Sequence, residues 1–199
     1  MTTTDDSSRL FLLAGGRERT ALLRDGLARE VLPGVLVPAD VPVTRQLRAR
    51  AVREKLGDWE TDAGRGRSVG FGTAAWLHTG ACPRSNTAAG ARHPLPERLD
   101  LIIGRNRRSP ALAGVRVRQV DMPPEHLQTI EGLLVTHPLR TSADIARDLP
   151  RAEALPLLRL LQEFHDVHPP QVLELLGAMS YARGAARARD VVRDWAEMA

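Results

Sequence analysis

Two short runs of the sequence combine a strand end or turn with the start of a helix. The first is SVGFGTAAWLHTG over residues 68–80, and the second is LVTHPLRTSADIARDL over residues 134–149. Pro138 suits the first turn of a helix, where its missing amide hydrogen costs nothing. Arg140 and Asp144 stand four apart, a spacing that permits a weak helical ion pair. Apolar residues recur on one face of the same helix, at Leu139, Ala143, Ala146 and Leu149.

The middle of the chain predicts strands, and the part after residue 138 predicts helices. Short apolar or alternating segments indicate a small central mixed sheet, with strands at 99–103, 115–120, 127–130 and 133–135. Valine and arginine alternate from Val115 to Arg118, which is typical of a half-exposed strand. Helical periodicity then continues over residues 153–164, with Pro156 in the first turn, and over 170–179 and 184–198. On the last helix, Trp195 and Met198 either dock on the core or face a partner, and docking is favoured.

The N-terminal part predicts a leader, a short helix and a hairpin. Residues 1–8 are polar and acidic, so we expect them to be disordered. A short helix over residues 17–25 leads to two strands around Pro33 and Gly34. Proline fixes φ at the first central position of a turn, and glycine tolerates positive φ at the second. Thr44 is a suitable N-cap for the helix that follows.

The composition excludes several classes of protein. With 43% hydrophobic and 26% charged residues, the chain can form an ordinary globular core. A single cysteine, Cys82, excludes an internal disulfide framework and a cysteine-rich zinc site. No apolar run is long enough to span a membrane, and the polar N-terminus is unlike a signal peptide, so we expect a cytoplasmic protein. The net charge is only +4, and 4% aromatic residues argue against a base-stacking platform.

The side chains needed for common metal-dependent reactions do not occur in the required patterns. A nuclease of the Glu-x-Lys type needs an acid two residues before a lysine, but Arg53 precedes the only lysine, Lys55. The Gly-Ser turn followed by paired acids that holds magnesium in a nucleotidyltransferase is absent. His165, Asp166 and His168 resemble metal ligands, yet they lie at a helix end without a third ligand motif, which favours a surface turn. We therefore predict no catalytic residues, metal or cofactor.

The two runs resemble motifs of the AbiEi-type antitoxins of type IV toxin–antitoxin systems, particularly actinobacterial relatives. The similarity extends over about residues 26–195. It implies a binding and regulatory protein that represses its own operon and neutralises a nucleotidyltransferase-like toxin, with double-stranded promoter DNA as a second partner. Trp76 is interpreted as a core residue and His78 as a hydrogen-bonding or capping residue. The matching positions are Thr73, Trp76, His78, Gly80, Thr136, Pro138, Arg140 and Asp144.

The resemblance also implies a domain organisation within the α+β class. Residues 1–8 form the leader, 9–42 a truncated winged-helix-like segment, and 43–199 an AbiEi-like α+β domain with C-terminal helices. The hairpin corresponds to the wing of a DNA reader, although the stretch before it is too short for the three helices that normally precede a wing. The candidates for sequence-independent phosphate contacts are Arg17, Arg19, Arg24 and Arg29.

Two other functions are compatible with the sequence. One is a stand-alone DNA-binding repressor without a toxin. The other is a small-molecule-binding or hydrolytic domain around Trp76 and His78. A deep pocket that joins His78 to an acid or to Cys82 would favour this alternative. The sequence determines neither the operator nor the oligomeric state.

Overall fold

A computed structural model describes residues 16–57, 61–62, 66–82, 95–109, 112–179 and 184–198. The fold is α+β, as the sequence predicts, with a hairpin, a five-stranded mixed sheet and a helical C-terminal half. The predicted leader lies outside the described residues. Within the described residues, no helix is both long enough and apolar enough to cross a bilayer.

The N-terminal elements agree with the sequence pattern. They are α1 (Gly16–Arg24), β1 (Ala28–Leu32), β2 (Val35–Pro38) and α2 (Arg45–Leu56). β1 and β2 are antiparallel, and Gly34 in the turn between them has a φ of 86°, which glycine adopts at little cost. Thr44 caps α2, since its side chain accepts a hydrogen bond from the Leu47 amide at 3.1 Å.

The central sheet has the strand order β5-β4-β3-β7-β6. Strand β3 is antiparallel to β4 and parallel to β7, and β4 is parallel to β5. Every residue of β4 is buried, whereas β5 is half-buried, as its alternating sequence predicts. The strands are β3 (Ser68–Val69), β4 (Leu99–Ile103), β5 (Val115–Gln119), β6 (Leu127–Ile130) and β7 (Leu133–Thr136).

The helices after β3 cover one another and the sheet. They are α3 (Phe71–Thr79), α4 (Pro138–Asp148), α5 (Arg151–His165), α6 (Pro169–Ala178) and α7 (Ala185–Glu197). Because α5 begins at Arg151, Pro156 lies in the helix interior rather than in the first turn, where the sequence placed it. A 3-10 turn, Pro124–His126, precedes β6.

The apolar core has two parts. The hairpin, α2 and the sheet share one apolar cluster, which includes Trp76. The helices α3 to α7 form the other, which includes Trp195. Trp195 is fully buried and therefore docked, whereas Met198 is 45% exposed.

Candidate functional site

The two runs that stand out in the sequence form adjacent strand–helix units. β3 leads into α3 through Gly70, and β7 leads into α4 through His137. The strands run parallel, with Val69 opposite Val135, and α3 packs against α4. The residues that carry the family resemblance therefore lie close together, although a long stretch of chain separates the two runs.

Thr73 holds the start of α3 against strand β4. Its buried hydroxyl oxygen accepts a hydrogen bond from the Asp100 amide at 2.7 Å. At Gly70, which caps the helix, a Cβ would overlap the end of the Ile102 side chain. This close approach accounts for the glycine at position 70.

His78 joins the end of α3 to the end of β7. It is 5% exposed, and its Nε2 lies 2.8 Å from the Thr136 carbonyl oxygen. Because a carbonyl only accepts, Nε2 carries the proton. Burial lowers the pKa of His78 to about 3, so the ring is neutral at neutral pH. The structure thus gives His78 a hydrogen-bonding position, the role that the sequence favours over catalysis.

His78→Gln is expected to flatten the pH dependence of stability below pH 6.5. The pKa of His78 is about 3 in the folded protein, whereas the ordinary pKa of a histidine side chain, expected in the unfolded chain, is 6.5. Between pH 3 and pH 6.5 the unfolded chain therefore binds more protons at this residue than the folded protein does. The contribution of His78 to the free energy of unfolding is therefore complete above pH 6.5 and is lost as the pH falls toward 3. A group of this kind gives a slope of about 1.4 kcal/mol per pH unit.

Urea denaturation of the wild type and of His78→Gln between pH 4 and pH 7 measures this difference. Glutamine has no proton to gain, and its amide can still donate to the Thr136 carbonyl. Every other histidine is present in both proteins, so the difference in slope measures the loss of His78, including its contact with the His165 ring. Parallel curves would contradict the buried, neutral state of this residue.

Hydroxyl groups fix the junction between β7 and α4. The Thr141 hydroxyl donates to the Thr136 carbonyl at 3.0 Å. The Thr136 hydroxyl lies 2.8 Å from the Thr141 hydroxyl and donates to it, since the Thr141 hydrogen is already engaged. Pro138 occupies the first turn of α4, and its carbonyl accepts a hydrogen bond from the Ser142 hydroxyl at 2.9 Å. The Thr136 and Pro138 positions of the second motif therefore shape the start of a helix.

The Arg140–Asp144 pair is buried, whereas its spacing alone indicated an ordinary helical pair. The two side chains are 4% and 0% exposed, and Arg140 Nε lies 2.9 Å from Asp144 Oδ2. Arg147 donates to the other carboxylate oxygen at 3.2 Å, and His126 Nδ1 lies 3.0 Å from Arg140. Burial raises the pKa of the Asp144 carboxyl, and the guanidinium groups of Arg140 and Arg147 oppose this rise.

Trp76 and Gly80 connect α3 to α2 through Arg48, which sequence reasoning missed. The buried Arg48 donates to the Leu77 carbonyl at 2.9 Å, and its guanidinium carbon lies 5.9 Å from the Trp76 ring centroid. Gly80 ends α3 with a φ of 80°, and a Cβ there would lie 3.3 Å from the guanidinium. A cation at a helix C-terminus is favourable because the carbonyl ends of the helix carry partial negative charge.

The arginines predicted to contact DNA have different surroundings. Arg19 pairs with Glu30, since its Nη2 donates to both carboxylate oxygens, at 2.7 and 2.8 Å. Arg24 pairs with its neighbour in the sequence, and Arg29 donates to a backbone carbonyl. Arg17 is exposed and makes no hydrogen bond or ion pair within the part of the chain that the structure describes. Their contact with DNA stays a prediction, and among the four Arg17 is the one whose charge has no partner in the described part of the chain.

Sequence reasoning also missed an ionic network between β4, β5 and α4. Arg116 bridges Asp100 and Asp148, and Arg118 also pairs with Asp148. Asp100 is 4% exposed, and burial raises the pKa of its carboxyl. The sequence contained a signal for this network, namely an acid within the apolar strand LDLII and arginines at alternate positions of β5.

A small cleft of about 140 Å³ lies beside this network. Its walls come from the starts of α3 and β4, the α4–α5 junction and Cys82. Burial raises the pKa of the Cys82 thiol to about 12, so the thiol stays protonated and is a poor nucleophile. His78 is not part of the cleft wall, so this cleft does not join it to Cys82 or to an acid.

The segment predicted as a surface turn, residues 165–168, begins with the last residue of α5 and leads into α6. His168 is the N-cap residue of that helix, and its Nε2 lies 2.8 Å from an oxygen of the exposed Asp166. Among the described residues, no three His, Cys, Asp or Glu side chains are placed to hold a metal ion.

The fold is an α+β scaffold in which the motif residues join two strand–helix units to each other and to their neighbours. Residues 68–193 match the AbiEi antitoxin C-terminal domain. The match spans more than half of the chain, and the protein belongs to the AbiEi antitoxin family.

Comparison with solved structures shows similarity to the RV2827C protein from Mycobacterium tuberculosis. The sequence identity is 18% and the TM-score is 0.41. The alignment covers 88% of this chain but only 64% of that protein, which is less than two thirds of its length. No curated protein matches this chain.

Proposed function

We propose that this protein is an antitoxin and transcriptional regulator that acts in the cytoplasm by binding a nucleotidyltransferase-type toxin and its own promoter DNA. The observation that carries the proposal is the family match over residues 68–193, which contains every motif residue. Antitoxins of this class act by binding, so the proposal includes no catalytic turnover.

The surroundings of the chemical groups support binding rather than catalysis. A general base must reach the proton that it removes, yet His78 is 5% exposed and bonded to a backbone carbonyl. Asp144 and Asp100 are held by arginines, and the Cys82 thiol is protonated at neutral pH. These observations give no support to a hydrolytic site around Trp76 and His78.

Co-expression of this protein is expected to restore growth to cells inhibited by a nucleotidyltransferase encoded beside its gene. The physical reason is mass action, because a toxin held in a complex is withdrawn from its substrate. Growth curves and an affinity pull-down measure the two parts of this prediction. An unrelated toxin serves as the control and should inhibit growth equally with and without this protein.

Negative results in both the growth test and the pull-down would rule out the toxin partner. A stand-alone repressor then becomes the better function if the protein retards a duplex from its own upstream region. Such binding should weaken steeply with salt, because phosphate contacts release counterions. The hairpin and the exposed Arg17 favour this second candidate over an enzyme.

A further inference from the structure

Several turns meet at one end of the central sheet. β3 and β7 begin at this end because they are parallel, and β4 ends there because it is antiparallel to β3. The turn after β4 contains residues 105–108. It lies against the segment before β3, since a Cβ at Gly66 would lie 3.0 Å from the Gly104 amide nitrogen.

The last turn of α2 reaches the same end. Arg53 donates to the Glu131 carbonyl, in the turn before β7, at 2.8 Å. Lys55 donates to the Pro33 carbonyl, at the tip of the hairpin, at 2.9 Å. Contacts therefore run from the hairpin tip across α2 to the turn that starts β7.

Cations at this end exceed the carboxylates that pair with them. Glu131 pairs with Arg50, and Asp121 pairs with Arg105. A third acid near this end, Glu54, is exposed in the last turn of α2. Among the described residues, the exposed cations that have no carboxylate partner here are Arg53, Lys55, Arg107 and Arg108, which we name the basic end.

We propose that the basic end contacts the phosphate backbone of duplex DNA beside the hairpin tip. This inference rests on the DNA-binding part of the proposed function and deepens it. The turn residues Pro33 and Gly34 carry no charge, and Lys55 supplies a cation next to them. The carboxylate of Glu30 also lies at the tip, where it accepts from the Gly34 amide, but it is paired with Arg19. Neighbouring strands are about 4.8 Å apart, so the turns at β7 and β4 are separated by about 10 Å, which one duplex can span.

The composition of the basic end favours nucleic acid over an acidic protein surface. Protein interfaces usually bury aromatic or aliphatic anchors, whereas DNA interfaces are polar and positively charged. The large hydrophobic side chains exposed in the described residues are Leu27, Phe164 and Met198, and none belongs to the basic end. Arginine also matches the geometry of a phosphate group through two parallel hydrogen bonds.

The test compares two double variants that lose the same charge. One is Arg107→Ala with Arg108→Ala, and the control is Arg159→Ala with Arg193→Ala, which removes exposed arginines from α5 and α7. Dissociation constants are measured over a range of salt concentrations, with a duplex from the protein's own upstream region and with an unrelated duplex of equal length. The first variant should lower the salt slope by about 2 on both duplexes, because each phosphate contact contributes about 1.

Each outcome separates this inference from the function on which it rests. If both variants bind DNA as the wild type does, or if their salt slopes fall by the same amount, the proposed contact between the basic end and DNA is wrong while DNA binding stands. If the wild type binds neither duplex, the DNA-binding part of the proposed function is wrong and the role of the basic end falls with it, whereas toxin binding is tested separately by the pull-down. If the first variant retains DNA binding but loses toxin capture in a pull-down, this surface belongs to the toxin interface and the inference is overturned.

Discussion

Asp144→Ala should lower the free energy of unfolding by about 3–5 kcal/mol, because the variant leaves a charged arginine uncompensated in the interior. Asp144 is fully buried, and Arg140, its main partner, is 4% exposed. Arg147, the second partner, is 15% exposed and has less access to water than a surface arginine. Urea denaturation, followed by far-UV circular dichroism, measures the loss.

Asp190→Ala is the matched control for this substitution. Asp190 pairs with Arg193 at a spacing of three residues, as Asp144 does with Arg147, but the side chains are 70% and 63% exposed. Surface pairs contribute little, so the expected change is within about 0.5 kcal/mol. Equal losses in the two variants would show that burial does not distinguish the pairs.

Most helices and strands could be predicted because their signals are local. Alternation identifies β5, and Pro138 marks the beginning of α4. Pro33 and Gly34 identify the hairpin turn, which the structure confirms. These signals depend on residues that are close together in the sequence, so a single sequence is enough to recognise them.

The burial of charged groups could not be predicted in the same way. Arg48 is an arginine of α2 whose partner, the Leu77 carbonyl, lies on a different helix. Asp100 is identified as part of a network only when β4 and α4 are placed beside β5. Both interactions depend on which elements pack together, which the local pattern does not determine.

The division into a reader segment and a second domain stays a prediction. Within the described residues, α1 precedes the hairpin, and the earlier part of the predicted segment lies outside them. Val31 and Val35 of the hairpin belong to the same apolar cluster as Trp76. The hairpin is therefore supported by the core of the protein.

Trp195→Ala is expected to lower the free energy of unfolding by about 3–5 kcal/mol, because it opens a cavity in the helical core. The side chain is fully buried, and its indole nitrogen donates to Gln162 at 2.9 Å. The substitution removes both the packing of α7 and the partner of the Gln162 side chain. The midpoint of urea denaturation, with its slope, gives the change in stability and shows whether unfolding remains cooperative.

Met198→Ala is the control on the same helix end, three residues further along the chain. Met198 is 45% exposed, so its removal should change the free energy of unfolding by less than about 0.5 kcal/mol. A Trp195 variant as stable as the Met198 variant would mean that α7 is not docked as described. The control also separates stability from binding, because a stable Met198 variant that captures less toxin would assign the exposed end of α7 to the toxin interface. A Trp195 variant that captures toxin only in proportion to its folded fraction would, in contrast, confine the role of this residue to the core.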